Sequence, residues 1–223
     1  MSDNEKQRGT ALRRREILAA ARKLFSRQGY EKTTMQQVVK EAGTSIGNCY
    51  FYFSNKGNLL QALVEDITLE IKEEAEAAVA QVPNDAVTRL SVSVYILIAK
   101  ILENSEISRI ILLGLGQPAL RESTFNYYTA ALKRFLEEHP NLLGDRHDLA
   151  GIDTELMIET WMGGCAAALE AAVTGEVQRD AHQICRFLIA WNLRAAGVTD
   201  DEISIGLAEL EKFAKRRDTA TAG

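Results

Sequence analysis

The chain has 223 residues, of which 46% are hydrophobic and 26% are charged, and it contains only three prolines. This composition excludes a disordered chain, and it is poor in the turn residues that an all-β protein needs. The net charge is −5, yet residues 1–57 carry 11 basic and 5 acidic residues, a net charge of +6. A basic N-terminal segment on an acidic body is expected where only one end of a protein approaches phosphates.

The three cysteines, Cys49, Cys165 and Cys185, are odd in number and far apart in the chain. They form neither a metal-ligand spacing nor a disulfide framework, which is typical of a reducing compartment. The first ten residues lack an apolar core of signal-peptide length, and nowhere do the roughly 18 consecutive apolar residues of a membrane helix occur. We therefore expect a soluble cytoplasmic protein that holds no metal and no cofactor.

The first predicted helix covers residues 11–28 and ends at Gly29. Its apolar residues recur at helical spacing, namely Ile17, Ala21, Leu24 and Phe25. Basic residues flank this apolar face, namely Arg13, Arg14, Arg15, Arg22 and Lys23. Such a cluster is often only a solvated surface, but beside the motif that follows it can also place charges near phosphates.

Residues 33–56 read as a short helix, a turn and a second short helix. Thr33, with Gln36 three residues later, fits a capping box at the start of the first of these helices. Gly43 permits a sharp turn, and Ser45 can cap the second helix. Two short helices joined by a short glycine-containing turn are the helix-turn-helix arrangement, whose second helix can enter the DNA major groove.

The rest of the chain continues as apolar helices without strand-like alternation. The segment 86–103 is apolar on nearly every face, which predicts a helix buried in a larger protein. Predicted helices after the motif cover residues 56–81, 86–103, 106–115, 119–139, 153–174, 181–196 and 201–217. The predicted fold class is therefore all-α.

Residues 15–64 resemble the N-terminal DNA-binding domain of the TetR family of one-component repressors. The resemblance depends on anchors at the family's spacing, which are Ala21, Phe25, Gly29, Tyr30, Thr34, Gly43, Ser45, Tyr50, Phe53 and Lys56. It implies a three-helix helix-turn-helix domain over residues 1–57 and a helical ligand-binding and dimerisation domain over residues 58–223. It also implies a homodimer that binds a palindromic double-stranded DNA operator and is released by a small-molecule effector.

Side chains on the second helix of the motif are the predicted readers of DNA. Asn48 can bond to adenine or phosphate, Ile46 can pack on a thymine methyl, and Tyr50 and Tyr52 can donate to phosphate oxygens. Lys56 sits where a cation opposes the dipole of its helix, so a nearby phosphate would offset that penalty. The family's lysine at this position contacts backbone phosphate. The predicted DNA-binding set is Thr33, Thr34, Ser45, Ile46, Gly47, Asn48, Tyr50, Tyr52 and Lys56.

Two residues depart from the family's pattern. Ile46 stands where a polar or basic base-reading residue is common, and Cys49 stands where a core leucine is common. These departures imply that few polar groups read the bases.

Small residues recur three or four positions apart in the segment 153–174, so another backbone can approach closely along that face. The other backbone could belong to the same chain, but the resemblance implies pairing of this helix and the segment 181–196 with a second copy. The predicted dimer interface is Gly163, Gly164, Ala167, Ala168, Ala171, Ile184, Phe187, Leu188 and Trp191.

Apolar side chains with few polar tips suggest an apolar or amphipathic effector in the helical body. The predicted lining residues are Tyr95, Ile98, Leu102, Ile111, Phe125, Tyr128, Trp161 and Cys165. The alternative for each of these residues is plain core, which is the commoner role of such side chains.

An enzyme and a helical scaffold are the alternatives to a regulator. The chain has three histidines, His139, His147 and His182, and none has a partner at triad or metal-ligand spacing. His147 lies between Asp145 and Asp148, which could bind a metal or simply form a solvated loop. A scaffold would leave the +6 charge of residues 1–57 unexplained.

Overall fold

A computed structural model of the chain describes residues 3–138 and 154–221. Every regular element in these residues is a helix, which confirms the all-α prediction. In chain order the helices are α1 (Asp3–Gln28), α2 (Met35–Glu41), α3 (Ile46–Tyr52), α4 (Lys56–Val79), α5 (Ala86–Glu103), α6 (Ser105–Leu115), α7 (Pro118–Glu138), α8 (Thr154–Thr174), α9 (Ala181–Ala196) and α10 (Asp200–Thr221).

The helices group into two compact units. The first unit comprises Met1–Thr68 and Ser105–Thr124, and the second comprises Leu69–Asn104 and Phe125–Gly223. The first unit therefore contains α6 as well as the helix-turn-helix, and in it Arg22 of α1 pairs with Glu106 of α6 at 2.9 Å.

The core of the first unit forms where α1, α2, α3 and the start of α4 bury their apolar faces. Ile17, Val38, Cys49 and Leu60 are all fully buried. Burial of these faces fixes which sides of the two short helices remain outside.

In the second unit the central helix is α5, which is buried along most of its length and packs against α8, α9 and α10. This confirms the prediction of a buried helix at residues 86–103. The Cys185 thiol of α9 donates a hydrogen bond of 3.3 Å to the Ser91 carbonyl of α5. Gly206 of α10 allows close approach, because a Cβ atom there would lie 2.4 Å from Cγ1 of Val87.

The end of α10 is held to α5 by an arginine. Arg217 donates to both carboxylate oxygens of Glu103, at 2.6 and 2.7 Å, and lies over the ring of Tyr95. Bidentate arginine–carboxylate pairs fix orientation as well as distance. This contact therefore orients the last helix of the second unit.

Among the described helices, α8 is long and apolar enough to cross a membrane by length and composition alone. Core helices of soluble proteins pass the same test.

Candidate functional site: the helix-turn-helix and the helical body

The first helix of the motif, α2, is capped one residue later than predicted. Thr34 is the N-cap: it accepts from the Gln37 amide at 3.3 Å, and the Gln37 side chain accepts from the Thr34 amide at 2.8 Å. The Thr33 hydroxyl instead donates a hydrogen bond of 2.8 Å to the Gly29 carbonyl, and Thr33 is only 1% exposed. The prediction of Thr33 as the cap is therefore wrong. Its predicted contact with DNA falls on a buried side chain.

The turn between the helices and the start of α3 follow the prediction. Gly43 has φ of +59°, a left-handed conformation that only glycine adopts without strain. The Ser45 side chain accepts from the Asn48 amide at 3.2 Å, which confirms Ser45 as the N-cap of α3.

The second helix of the motif, α3, has one inward side and one outward side. Cys49 is fully buried on the inward side, and burial raises the pKa of its thiol. On the outward side Ile46 is 46% exposed, Tyr50 is 47% exposed and Phe51 is 77% exposed. Three large apolar side chains are thus exposed on a helix of seven residues, and exposed apolar patches of this kind mark interaction sites.

The other predicted residues on α3 are placed less freely. Asn48 is half-buried, and its side-chain amide donates a hydrogen bond of 3.0 Å to the Thr44 hydroxyl. This bond partly fixes the orientation of the side-chain amide. Gly47 is exposed with no atom within 4 Å of a Cβ position. Tyr52 is half-buried and packs edge-on against Phe51.

Lys56 forms contacts that the sequence pattern did not indicate. Its ammonium donates hydrogen bonds to two carbonyl oxygens, that of Tyr30 at 2.9 Å and that of Glu31 at 3.4 Å. The same ammonium lies 4.2 Å from the centroid of the Tyr30 ring. These contacts tie the first residue of α4 to the turn after α1. An ammonium has three donors, so one of them remains for a phosphate.

The basic residues of α1 divide between structural and surface roles. Arg22 pairs with Glu106, and Lys23 pairs with Glu41 of α2 at 2.5 Å, which lowers the pKa of the Glu41 carboxyl. Arg14 lies over the Phe53 ring. These contacts shape the motif rather than leaving all the charges free for phosphates.

Sequence reasoning missed Phe51 as a surface residue. In the aromatic run at residues 50–53, Tyr50 and Phe51 are exposed, Tyr52 is half-buried and Phe53 is buried. Only the burial of Cys49 and Phe53 decides which side of α3 faces outward, and the register of a seven-residue helix can be read from that pair.

The predicted effector-lining residues do not form one site. Ile98, Tyr128, Trp161 and Cys165 line a small apolar cavity of about 10 Å³ in the second unit. Tyr95 is buried under Arg217, and Phe125 is also buried. The other predicted lining residues are Leu102, which is half-buried, and Ile111, which is buried in the first unit.

A larger cavity lies elsewhere in the second unit. It has a volume of about 470 Å³ and is bounded by the end of α4, the start of α5 and the second half of α7. Its lining includes two arginines, two glutamates and Tyr127. The sequence did not indicate this cavity, because its residues come from three separated segments.

The predicted interface residues fall on two different sides of α8 and α9. Gly163, Gly164, Ala167, Phe187 and Trp191 are exposed, and the rings of Phe187 and Trp191 stack with centroids 6.0 Å apart. Ala168 and Ala171 are half-buried.

Ile184 and Leu188 instead lie buried inside the chain's own core, at 6% and 4% exposure. They belong to the opposite, core-facing side of α9. The exposed residues of α8 and α9 are called the α8–α9 face below: Gly163, Gly164, Ala167, Phe187 and Trp191.

The described residues contain no group of three or more metal-ligating side chains. His182 is half-buried, and its Nε2 has no hydrogen-bond partner within the described part of the chain. His139 and the set Asp145, His147 and Asp148 lie outside the described residues.

The chain matches the family model for bacterial regulatory proteins of the tetR family over residues 17–63. Among curated proteins it is 45% identical over 53 residues to the HTH-type transcriptional regulator YfiR of Bacillus subtilis (strain 168), covering 24% of this chain and 26% of that protein. The chain thus aligns with about a quarter of that relative's length.

Solved structures extend the similarity to the whole fold. SmeT, the repressor of the Stenotrophomonas maltophilia multidrug efflux pump SmeDEF, superposes with a TM-score of 0.66 at 22% identity, over 85% of this chain and 92% of SmeT. FadR of Bacillus subtilis, solved with stearoyl-CoA, gives a TM-score of 0.64 at 19% identity, over 80% and 96% of the two chains. At these identities the similarity shows the fold, and the family match is confined to residues 17–63. Residues 17–63 thus match the tetR family of bacterial regulatory proteins, in a chain whose fold is similar to that of solved regulators.

Proposed function

We propose that the chain is a homodimeric, ligand-responsive transcriptional repressor that binds a palindromic DNA operator. The observation that carries the proposal is the outward side of α3, where Ile46, Tyr50 and Phe51 are held in solvent by the buried Cys49. A helix of this kind can enter the major groove, where apolar side chains contact thymine methyl groups and hydroxyls reach phosphates.

The α8–α9 face supports the second part of the proposal, the homodimer. Its exposed glycines and alanine let a partner helix approach closely, and the stacked rings of Phe187 and Trp191 offer a large apolar contact beside them. A twofold interface repeats the same patch on both copies, so one face suffices for closure. Twofold symmetry is also what a palindromic operator requires.

A single helix, α4, begins directly after the helix-turn-helix and ends at the proposed effector cavity. Lys56 is the first residue of α4, and Glu76 and Val79 near its other end line the 470 Å³ cavity. An effector that binds two arrangements of this helix with different affinity shifts the population between them, whereas equal affinity shifts nothing. SmeT is named a repressor, which favours repression over activation for this chain as well.

The proposed division of labour keeps residues 1–57 for DNA and residues 58–223 for effector and partner. The basic charge of the first segment and the acidic charge of the second agree with such a division. A DNA-binding regulator without a membrane partner acts in the cytoplasm, and we propose that location for this chain.

A salt titration with fluorescently labelled random-sequence DNA tests the DNA-binding part. Counterion release predicts that the logarithm of the affinity falls linearly with the logarithm of the salt concentration. Ile46→Glu places a negative charge on the outward side of α3 and should abolish binding. Ile205→Glu is the matched control, because Ile205 is 61% exposed on α10 and should leave binding unchanged.

A protein that binds no DNA at low salt would contradict the proposal. Equal loss of binding in both isoleucine variants would also contradict it, because the effect would then not belong to α3.

A further inference from the structure

Charged side chains of both signs line the 470 Å³ cavity. Among the described residues that line it, the cations are Arg89 and Arg134, and the acids are Glu76 and Glu138. Glu76 already pairs with Lys72, at 3.8 Å along α4. Counted with Lys72, the charged groups are three cations and two acids, a net charge of +1 that favours a negative ligand.

Arg89 lies where an anion is favoured for a second reason. It belongs to the first turn of α5, whose N-cap is Asp85, and it is half-buried with its guanidinium donating 3.0 Å to the Asn84 side-chain oxygen. That contact uses one of five donors and holds the group at the cavity edge. The positive end of the helix dipole adds to its charge.

Arg134 approaches the same cavity from α7. It is exposed and forms no ion pair within the described part of the chain. Burial raises the pKa of the Tyr127 hydroxyl; among the charged groups Glu76 raises that pKa further, and Arg134 and Arg89 lower it. Arg89, Arg134 and Tyr127 all line this one cavity.

The rest of the wall is suited to an apolar body. Val79, Val82, Leu90 and Phe135 line it together with four alanines. The Tyr127 hydroxyl is hydrogen-bonded to Ser93, so the polar groups on the α5–α7 side are partly satisfied without a ligand. The volume falls in the range of roughly 300–1,000 Å³ that is typical of small-molecule sites.

We propose that this cavity binds an amphipathic organic anion, with its charged head on Arg89 and Arg134 and its apolar body against Leu90 and Phe135. The inference rests on the proposed function, because it names the chemical class of the effector that the regulator would sense. Guanidinium groups bind carboxylates through paired hydrogen bonds, which gives the head group a defined orientation. A neutral or cationic molecule of the same shape would leave both guanidinium groups without that partner.

The test compares three probes that share a decyl chain and differ in the head group: decanoate, decanol and decyltrimethylammonium. Binding to the full-length protein is measured by isothermal titration calorimetry below the concentration at which each probe forms micelles. Decanoate should bind at least about tenfold more tightly than the other two, the value expected from one charge-assisted hydrogen bond. Arg134→Gln should remove most of that preference and leave decanol binding unchanged.

Arg179→Gln is the control for loss of one positive charge, because Arg179 is exposed outside the cavity and contacts only the neighbouring Gln178 carbonyl among the described residues. Thermal unfolding without probe checks that each variant folds. Arg89→Gln is a second test of the same preference. If loss of the hydrogen bond to Asn84 unfolds the Arg89 variant, the test depends on Arg134→Gln.

Tighter binding of decyltrimethylammonium, especially if Glu138→Gln removes it, would overturn the inference, and so would equal binding of all three probes or binding of none. Failure of the proposed function is seen separately, in the salt titration with DNA, which involves no probe. A protein that binds DNA but prefers decanol keeps the proposed function and loses the anionic effector.

Discussion

The Lys56 ammonium donates a 2.9 Å hydrogen bond to the Tyr30 carbonyl and lies 4.2 Å from the centroid of the Tyr30 ring. This contact joins the start of α4 to the turn between α1 and α2. The resemblance of residues 15–64 to the tetR family also predicts a phosphate contact for Lys56, which stays a prediction. Lys56 therefore has a structural task that is independent of DNA.

Replacing Lys56 with alanine should lower both stability and DNA affinity. We expect a loss of about 1–2 kcal/mol in the free energy of unfolding, from one hydrogen bond and one cation–π contact. Chemical denaturation measures the first effect and fluorescence anisotropy the second. Lys32→Ala is the control: Lys32 is exposed on the same turn, and its removal should leave stability unchanged. Unchanged stability of the Lys56 variant would show that the contact with Tyr30 does not stabilise the fold.

Replacing Tyr50 with phenylalanine should weaken DNA binding without affecting folding. The side chain is 47% exposed, so loss of its hydroxyl should change the free energy of unfolding by less than about 0.5 kcal/mol. DNA affinity should fall by about threefold to tenfold, as expected for one lost hydrogen bond. Phe53→Ala is the contrasting variant, because Phe53 is 3% exposed and its truncation should cost about 3–5 kcal/mol. Equal DNA affinity of Tyr50→Phe and the unmodified protein would remove the hydroxyl from the interface.

Replacing Trp191 with glutamate should convert the dimer to a monomer at micromolar concentration. Trp191 is 67% exposed in the single chain, so the change should not disturb the core, but it would place a charge in a desolvated interface. Sedimentation velocity reports the assembly state. Leu69→Glu makes the same kind of change at a 51% exposed position on α4 and should remain dimeric. A Trp191 variant that is still dimeric would move the interface away from the α8–α9 face.

Replacing Gly206 with alanine should destabilise the second unit. The new Cβ atom would lie 2.4 Å from Cγ1 of Val87 and 3.2 Å from the Thr88 amide nitrogen, so α5 and α10 must separate. Overpacking of this kind costs about 1–3 kcal/mol. Gly9→Ala in α1, where no atom lies within 4 Å, should instead be neutral or stabilise the helix by up to about 1 kcal/mol. Equal melting temperatures for both variants would show that α10 does not pack as described.

The stability of the protein should decrease in alkaline solution partly through Cys165. Burial raises the pKa of this thiol from 9.0 to about 12. Because the folded pKa is higher than the unfolded one, the stabilising contribution is complete below pH 9 and is lost as the pH rises towards 12. Urea unfolding at about pH 8 and about pH 10 measures the slope. Cys165→Ala should reduce it, and an unchanged slope would assign the effect to other groups.

Local patterns predicted the helices and the turn, but they could not choose between two equivalent registers for the cap of α2. The sequence repeats both threonine and glutamine, so Thr33 with Gln36 and Thr34 with Gln37 satisfy the same capping pattern. What decides is the burial of Thr33 and its bond to the Gly29 carbonyl, both of which depend on the neighbouring helix.

Long-range contacts were equally outside what the patterns contain. Lys56 and Tyr30 are 26 residues apart, and Arg22 and Glu106 are 84 residues apart. In α9 both sides are apolar, so periodicity alone could not separate the core residues Ile184 and Leu188 from the exposed Phe187 and Trp191. The boundary at residue 57 and the set of DNA-contacting residues stay predictions.

Selection of bound fragments from a random double-stranded DNA pool tests the central claim most directly, since the recovered sequences report affinity, symmetry and spacing together. We predict an enriched palindrome whose half-sites are separated by about 34–36 Å, or a multiple of that distance, as two recognition helices related by a twofold axis require. Recovery of an asymmetric site, of a single half-site or of no enriched sequence would contradict the account.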